Sequence, residues 1–418
     1  MPSGDEPVFL VPGQGADARG VLHEPYWASD VVRSVADDVL AVVQQVLAEE
    51  WPGKPPPLRE VLLDPAQTVH MGLGVPQIAG YVVSVVTAGA LVASGVEPVA
   101  VVGQSFGEIA ALVCAGSLDV ADGARAVCAL NSAFESVRGQ GAMALLPGVG
   151  ERECRELLAG IGLPDLVLAC VNSPEQTVVS GSSESVTALA TVPELKVVRL
   201  PVPYASHHPG LGGVAARFFE GLRAVTVQPP RVPVYSPVAG RRYTPEDDLR
   251  QALADCVTKP VDLPPLVREL AAPQRLFVEL GAGDTLTRAV RATVPAARAV
   301  ALLGSDPTWF LDMTNEPARQ AIPNCKSSAE RSAMMSTLTV DGLRGVMVAC
   351  LGGSGTVDLE ITDLKTRSFE DLDFDSLARV ELLHRLRESF GIEISDEDFQ
   401  GFSGPRDLLD HVNAVERA

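Results

Sequence analysis

Short Val- and Leu-rich runs alternate with longer helical patterns over residues 8–305 of the 418-residue chain, and this alternation constrains the fold most strongly. Short apolar runs next to glycine or proline indicate buried strands, here "VFLVPG", "AVVGQS", "RVPVYSP" and "RLFVELG". Buried strands separated by helices predict a mainly parallel sheet with helices packed on its faces. We therefore expect residues 1–305 to form an α/β domain.

The pattern changes between residues 142 and 200. The stretch has a strand–helix–strand–strand–helix–strand order, which predicts a small ferredoxin-like subdomain inserted into the α/β domain. Residues 306–336 lose this periodicity and are polar, as is typical of a linker.

Residues 337–418 form a third unit that is strongly acidic, with 17 Asp and Glu against 8 Lys and Arg from residue 336 onwards. Helical patterns in this unit cover 339–350, 376–390 and 406–416. The run "MMST" just before it looks like the start of a separate reading frame, which would mean that the chain joins two proteins that otherwise occur apart. A naturally fused gene would give the same pattern, and both origins stay open.

The whole chain carries 33 basic and 53 acidic residues, a net charge of −20. Such a surface repels nucleic acid and anionic membranes, and it suits a partner that presents arginines. No apolar run is expected to reach membrane-spanning length, and no basic region precedes the first apolar residues, so we expect a cytoplasmic protein. Seven scattered cysteines without a CxxC pair indicate buried free thiols, with neither a disulfide framework nor a metal site.

A serine between two glycines follows the second predicted strand, in "VVGQSFGEIAA" (residues 101–111). A serine at a sharp strand-to-helix turn is typical of a nucleophile elbow, where the helix N-terminus stabilises developing negative charge. Loop Gly13-Gln14-Gly15 follows the first strand and could direct backbone N–H groups at a substrate oxygen. For either motif alone, a plain glycine turn is the alternative.

A serine needs a base to become nucleophilic at neutral pH, and histidine is the usual choice. The segment "PVPYASHHPG" contains His207 and His208, in a polar loop flanked by proline. No convincing acidic residue completes a triad. A serine–histidine dyad oriented by a main-chain carbonyl is therefore possible.

The motifs together resemble the malonyl-CoA:acyl-carrier-protein transacylase family and the acyltransferase domains of modular polyketide synthases. In family order they are "FLVPGQG", "GVPQIAG", "GQSFGEIAA", "GQGAMALL", "VNSPEQTVVSG", "PYASHHPG", "VPVYSPVAG" and "FVELGAGDTLT". The resemblance covers the chain from residue 8 to about 305. It implies an α/β-hydrolase-like core and ping-pong acyl transfer through an acyl-serine.

Carried over residue by residue, the resemblance makes Ser105 the nucleophile and His207, the histidine of "YASH", the base, with its neighbour a bystander. The oxyanion hole is then formed by the backbone N–H groups of Gln14 and Phe106. The family orients its histidine through a main-chain carbonyl in a "PV" loop, here that of Asp262 in "KPVDLP".

Departures from the family pattern concern the substrate pocket. Malonyl-type members place an arginine on a helix before the "GAM" strand, where it pairs with the free carboxylate of malonate; alignment on Phe134 puts Asn131 there. Gln104 stands where the family usually has histidine, and Tyr204 of "YASH" is the third expected pocket residue. Because a buried carboxylate needs a charged partner, the sequence predicts a substrate other than malonyl or methylmalonyl, unless a short deletion shifts the alignment.

The C-terminal "DLDFDSLARVELLHRL" resembles acyl carrier proteins, which are four-helix bundles that carry 4'-phosphopantetheine on a serine. The resemblance places that group on Ser376. Acidic residues around it, Asp371, Asp373, Asp375 and Glu381, would form the surface that docks to basic partners.

An acyltransferase without the arginine, next to a carrier, resembles the discrete acyltransferases of macrolactam polyketide pathways in antibiotic biosynthesis. Those enzymes move an aminoacyl or dipeptidyl starter from a free-standing carrier to the loading carrier of a synthase. Arg152 and Arg298 are the expected docking residues on the transferase. Three alternatives stay open: a hydrolase that clears stalled acyl groups from carriers, a malonyl-CoA:carrier transacylase, and a non-enzymatic docking scaffold.

Overall fold

A computed structural model describes residues 5–14, 17–51, 53–65, 72, 74–304 and 307–315, with isolated residues and short stretches between 343 and 415. The chain divides into two compact units, Met1–Gln320 and Ala321–Ala418.

The strands, in chain order, are β1 (Glu6–Val11), β2 (Ala100–Gly103), β3 (Ala142–Pro147), β4 (Val167–Ser173), β5 (Gln176–Gly181), β6 (Val198–Arg199), β7 (Val234–Ser236), β8 (Arg241–Arg242), β9 (Val261–Asp262), β10 (Arg275–Ala282) and β11 (Arg298–Leu303). The helices are α1 (His23–Ala28), α2 (Asp30–Glu50), α3 (Leu58–Leu63), α4 (Val75–Ala93), α5 (Gly107–Cys114), α6 (Val120–Glu135), α7 (Glu151–Gly160), α8 (Ser183–Leu189), α9 (Gly212–Gly221), α10 (Leu249–Thr258), α11 (Pro264–Leu270), α12 (Thr285–Thr293), α13 (Thr308–Asn315) and α14 (Pro405–Val415). Short 3-10 turns cover Pro209–Leu211 and Leu222–Ala224.

The large sheet has the strand order β11-β10-β1-β2-β7-β8. Its pairs are parallel except for β7 with β8, so the carboxyl ends of β1, β2 and β10 lie at the same edge. The four strands predicted from apolar runs are all present, and the α/β prediction for this part is confirmed. Strand β11 was not predicted, since its residues are only half-buried at the sheet edge.

Helix α4 lies in the core beneath the sheet, and 72% of its most apolar window is buried within the protein. Of the described residues, only this helix is long and apolar enough to cross a membrane. The expectation that no apolar run is long enough to span a membrane was therefore wrong. The burial of α4 against α2, α5 and β10 instead explains its composition, because a helix surrounded by core has no polar face.

The small sheet has the order β6-β3-β5-β4-β9. Strands β3 to β6, with α7 and α8 between them, follow the predicted strand–helix–strand–strand–helix–strand order, and their pairs are antiparallel. This part of the prediction is confirmed. Strand β9 comes from outside the insert and pairs in parallel with β4, which ties the small subdomain to the segment after α10.

The linker does not begin at residue 306 as expected. Residues 308–315 form α13, whose Phe310 side chain is fully buried against the α/β core. The Ser29 hydroxyl donates a hydrogen bond to the carbonyl of Thr314 at 3.4 Å. A helix of eight residues is too short to show clear helical periodicity, but it is long enough to bury an aromatic ring.

The described residues of the C-terminal unit include α14, which confirms the helix predicted at 406–416. Phe369 and Phe399 pack with ring centroids 6.0 Å apart, and the guanidinium of Arg379 lies 5.0 Å from the centre of the Phe369 ring. The predicted helices at 339–350 and 376–390 fall mostly outside the described residues. The four-helix bundle therefore stays a prediction.

Candidate active site

Ser105 occupies the turn between β2 and α5, at the carboxyl edge of the large sheet. Its backbone has φ of 56°, in the left-handed region that non-glycine residues rarely adopt. A Cβ atom on Gly107 would lie 2.4 Å from the carbonyl oxygen of Val11, and one on Gly103 would lie 2.6 Å from Cα of Glu108. Only glycine fits either position, so the sequence pattern around the serine is required by the turn itself.

The side chains of Ser105 and His207 meet at this turn. The distance from Ser105 Oγ to His207 Nε2 is 2.7 Å, and the two residues are 9% and 2% exposed. Nδ1 of His207 lies 2.9 Å from the carbonyl oxygen of Lys259. Because a carbonyl can only accept, Nδ1 carries the proton and Nε2 is free to accept the proton of the serine hydroxyl.

The carbonyl that orients the histidine belongs to Lys259, and the expectation of Asp262 was wrong. Lys259 is the first residue after α10, where the backbone turns extended and a free carbonyl can face the histidine. Asp262 instead belongs to strand β9, where it pairs with Val171 of β4. Its N–H donates a hydrogen bond to the carbonyl of Pro237.

Burial lowers the pKa of His207 from 6.5 to about 4, and the hydrogen bond to the Lys259 carbonyl opposes this effect only in part. The imidazole is therefore neutral throughout the physiological range. A neutral imidazole with a free Nε2 can accept a proton from Ser105.

Two backbone N–H groups are available beside the serine. Within the described part of the chain, neither the Gln14 nor the Phe106 amide donates a hydrogen bond. The loop after β1 runs directly against the serine, since a Cβ on Gly13 would lie 3.7 Å from Ser105 Oγ. Phe106 is the residue before the first turn of α5. The arrangement fits the two donors that an oxyanion requires.

The neighbouring His208 is used structurally. Its Nε2 donates to the carbonyl of Asp165 and its Nδ1 accepts from the N–H of Gly210, both at 2.9 Å. With both ring nitrogens engaged away from Ser105, His208 has no free nitrogen for the serine.

A small cavity opens beside the serine turn. Its walls are formed by Pro12, Gly13, Gln14, Gln77, Gly80, Tyr81, Ser84, Phe106, Gly107, Ile109, Ala110, Val127 and Leu130. These lining residues are apolar or neutral, and none is an arginine or a lysine.

The three expected pocket residues do not line this cavity. Gln104 donates from Nε2 to Oδ1 of Asn172 at 2.8 Å, so it bridges the serine turn to strand β4 of the small subdomain. Tyr204 is 1% exposed, and its hydroxyl donates to Oε1 of Gln14 at 2.8 Å. Asn131 donates from Nδ2 to the carbonyl of Gly74 at 3.2 Å.

The residue of α6 that faces the cavity is Leu130, one position before Asn131. One residue along a helix turns the side chain by about 100°, which is enough to move it from the wall of a cavity to its outside. Leu130, not Asn131, therefore lines this cavity, and the role of Asn131 as the specificity residue stays a prediction.

A buried carboxylate supports the serine turn from behind. Glu108 of α5 is fully buried; it accepts hydrogen bonds from the hydroxyls of Ser236, at 2.5 Å, and Tyr243. Burial raises the pKa of Glu108 to about 7, although both hydroxyls oppose the shift. Ser236 ends strand β7, so its hydroxyl links that strand to the first turn of α5.

The expected docking residues lie apart. Arg298 begins β11 at the amino edge of the parallel sheet, opposite the serine turn, and pairs with Asp5. The prediction that Arg298 lies near the active site was wrong. Strand β11, which was not predicted, runs parallel to β10, so its first residue lies at the edge opposite Ser105. Arg152 is exposed on the first turn of α7, with a 3.8 Å ion pair to Glu156. The expected carrier residues Ser376, Asp375 and Glu381, like Asp373, lie outside the described residues.

Sequence reasoning assigned no role to Gln77, Leu130 or Lys259. Gln77 stands in the quoted motif "GVPQIAG", so the motif itself was the available signal. Leu130 lies one residue from the expected Asn131, and Lys259 lies three residues from the expected Asp262. Where a helix ends and which face it turns inward determine which of these neighbouring residues reaches the site.

Comparisons with known proteins agree with this geometry. The acyl transferase domain family matches residues 8–323, and the phosphopantetheine attachment site family matches residues 355–412. The spectinabilin polyketide synthase system protein NorA' of Streptomyces orinoci is 36% identical over 295 residues, 68% of this chain and 8% of that protein. The erythronolide synthase EryA3 of Saccharopolyspora erythraea is 33% identical over 244 residues, 56% of this chain and 7% of that protein.

Among solved structures, a loading acyltransferase from the avermectin modular polyketide synthase superposes with a TM-score of 0.63. It is 28% identical and covers 71% of this chain and 94% of that one. The chain spans less than a tenth of the length of the two synthases above. It belongs to the acyl transferase domain family, as an acyltransferase of the polyketide synthase and malonyl-CoA:carrier transacylase type that also contains a phosphopantetheine attachment site.

Proposed function

We propose that the protein transfers a non-carboxylated acyl starter, of the aminoacyl or dipeptidyl class, between phosphopantetheinyl carrier proteins in macrolactam-type polyketide biosynthesis. The observation that carries this proposal is the wall of the cavity beside Ser105, where Leu130 faces inward and no described lining residue is a cation. A malonyl carboxylate buried there would have no charged partner, at a cost of several kcal/mol.

The dyad geometry supports a two-step transfer. Ser105 Oγ attacks the carbonyl carbon of the donor thioester while His207 Nε2 accepts the hydroxyl proton, and the N–H groups of Gln14 and Phe106 stabilise the oxyanion. The carbon–sulfur bond then breaks, His207 returns the proton to the leaving thiol, and an acyl ester stays on Ser105. A second carrier thiol reverses these steps: it gives its proton to His207, attacks the ester, and releases Ser105 with its hydroxyl restored.

The carrier in this proposal is the C-terminal unit itself. The attachment-site match over residues 355–412 supports a carrier role, and within it Asp-Ser-Leu makes Ser376 the serine that would be modified. The attached 4'-phosphopantetheine supplies the thiol that holds the acyl group as a thioester. The receiving carrier would be that of a synthase loading module; the avermectin relative is described as a loading acyltransferase.

We further propose that Arg152 docks the acidic carrier surface that includes Asp375 and Glu381. The Arg152 side chain is 91% exposed. Helix α7 packs against strand β4, and β4 pairs with β9, which follows closely after Lys259, the residue that orients the catalytic histidine.

Docking can be tested by charge reversal. Arg152→Glu should slow transfer from the carrier, and the effect should fade at high salt, while a small pantetheine thioester reacts as before. Arg298→Glu is the matched control, since Arg298 lies at the opposite edge of the sheet. Equal effects of the two reversals would contradict docking at α7.

Substrate class can be tested by intact-protein mass spectrometry. The protein is incubated with malonyl, aminoacyl and simple alkanoyl pantetheine thioesters, and the acyl adduct on Ser105 is followed over time. We expect neutral or amine-bearing groups to acylate Ser105 at least about a hundredfold faster than malonyl. Faster acylation by malonyl would refute the proposal. Adding a second holo-carrier should then discharge the adduct; loss to water at the same rate without the carrier would identify a hydrolase instead.

A further inference from the structure

A buried hydrogen-bond acceptor in the wall of the cavity beside the serine turn has no partner among the described residues. Gln77 lies in the first turn of α4 and lines the cavity. Its Nε2 donates to Oε1 of Gln14 and to the hydroxyl of Tyr204, both at 2.7 Å. Its Oε1 is buried and accepts no hydrogen bond from any described residue. Folded proteins leave few buried polar atoms in this state, so each one calls for an explanation.

The side chains of Gln77, Gln14 and Tyr204 form one hydrogen-bond network. The hydroxyl of Tyr204 donates to Oε1 of Gln14 at 2.8 Å. Burial raises the pKa of Tyr204 well above its usual value, which keeps that hydroxyl protonated. Gln77 presents its NH2 group to both partners, Oε1 of Gln14 and the hydroxyl of Tyr204. The carbonyl oxygen of Gln77 is consequently left over for the cavity.

This oxygen lies close to the reaction. Gln77 is hydrogen-bonded to Gln14, and the adjacent Gly13 is packed against the hydroxyl of Ser105. Ile109 and Leu130 give the cavity apolar walls, whereas Tyr81 and Ser84 add hydroxyl-bearing residues to its lining. An acyl group on Ser105 that reaches into this cavity would meet Oε1 of Gln77 as its one buried side-chain acceptor without a partner, among the residues that the structure describes.

We propose that Oε1 of Gln77 determines specificity by accepting a hydrogen bond from an N–H or O–H group on the acyl chain held by Ser105. The inference rests on the proposed function, because it assumes that an uncarboxylated acyl group occupies this cavity. An alkyl analogue would bury the acceptor without a partner, and a carboxylate would place negative charge against it. Sites that pair a buried polar group with a substrate donor discriminate strongly against analogues that lack the donor.

Two probes of nearly equal shape isolate this contact: the pantetheine thioesters of 3-aminobutanoate and 3-methylbutanoate, in which an amine replaces a methyl group. The rate of Ser105 acylation by each is measured on the full chain by intact mass. For the wild type we expect a preference for the amine of about ten- to hundredfold. Gln77→Met, which removes the acceptor, should bring the ratio close to one, whereas Gln77→Glu should retain the preference.

The ratio of the two rates cancels any uniform loss of activity, and melting temperatures check that the variants fold. Gln140→Met is the matched control, since Gln140 is an exposed glutamine that does not line the cavity, and its ratio should equal that of the wild type. A wild-type ratio near one, or an unchanged ratio in a folded Gln77→Met, would overturn the inference. If the two probes acylate Ser105 equally and malonyl does not, only the role of Gln77 fails. If malonyl acylates Ser105 faster than either probe does, both the role of Gln77 and the proposed function fail.

Discussion

The hydroxyl of Ser105 lies 2.7 Å from Nε2 of His207, and both residues are held in the left-handed backbone region, with φ of 56° and 58°. For a residue with a Cβ atom this conformation costs about 1–2 kcal/mol. The surrounding structure holds both in place: the serine between two close-packed glycines and the histidine through the carbonyl of Lys259. The dyad is thus positioned by the backbone on both sides before any substrate binds.

Removing the serine hydroxyl should separate strain from catalysis. Ser105→Ala and Ser105→Gly should both lose acyl transfer, because neither has a nucleophile. Ser105→Gly should nevertheless be more stable than Ser105→Ala by about 1 kcal/mol, because only glycine relieves the positive φ. Denaturant unfolding of the two variants measures this difference. Equal stability, or a more stable alanine variant, would show that the turn is not strained.

The two adjacent histidines should differ sharply when replaced. His207→Ala should reduce the rate of Ser105 acylation by about a hundred- to ten-thousandfold, since the base is lost. His208→Ala should cost less than about tenfold, because its ring only bridges Asp165 and Gly210. Single-turnover acylation rates measure both. Similar losses for the two variants would mean that the base is assigned to the wrong histidine.

The pH dependence of acylation should reflect the lowered pKa of His207. The neutral imidazole is the active form, and with a pKa of about 4 it stays neutral down to about pH 5. The single-turnover rate should therefore be flat from pH 8 to about pH 5.5 and fall only at lower pH. A dyad with an ordinary histidine would lose half of its rate near pH 6.5, and such a profile would contradict the effect of burial described above. Melting curves at each pH exclude unfolding as the cause.

The local features of the site could be predicted from the sequence. The elbow at Ser105 is recognisable because a buried strand, two glycines and a helix stand within eleven residues, and each is a local requirement of the turn. His207 could be found because the serine needs a base and histidines are rare in this chain, six in 418 residues.

The remaining errors arose where a residue's role depends on the end or face of an element. Whether Lys259 or Asp262 faces the histidine depends on where α10 stops. Whether Leu130 or Asn131 faces the cavity depends on the rotation of α6, because one residue along a helix turns the side chain by about 100°. The position of Arg298 depends on the direction of a strand that has no clear alternation of its own.

Glu108 should make stability depend on pH in the direction opposite to most carboxylates. Its pKa is about 7 when folded and close to 4.5 when unfolded, so the folded state holds the proton more tightly. Its contribution is complete below pH 4.5 and is lost as the pH rises through 7. Glu108→Gln cannot ionise, so its melting temperature relative to the wild type should increase by a few degrees between pH 5 and pH 8. A difference that stays constant with pH would show that Glu108 is ionised in the folded protein.

An arginine placed at Leu130 should admit malonate. Leu130 lines the cavity beside Ser105, whereas the side chain of Asn131 is bound to the carbonyl of Gly74 outside it. A guanidinium facing the cavity can form a charge-assisted, bidentate pair with the malonyl carboxylate, and we expect malonyl acylation of Ser105 to rise about tenfold or more. Asn131→Arg adds the same charge one residue later and serves as the matched control, with little gain expected.

Because an arginine in the cavity also takes up space, acylation by alkanoyl thioesters should fall in Leu130→Arg. A gain with malonyl together with a loss with alkanoyl thioesters distinguishes a new contact from a general loss of activity. A gain from Asn131→Arg alone would restore the original alignment and would mean that the α6 face seen in the structure does not hold the acyl group.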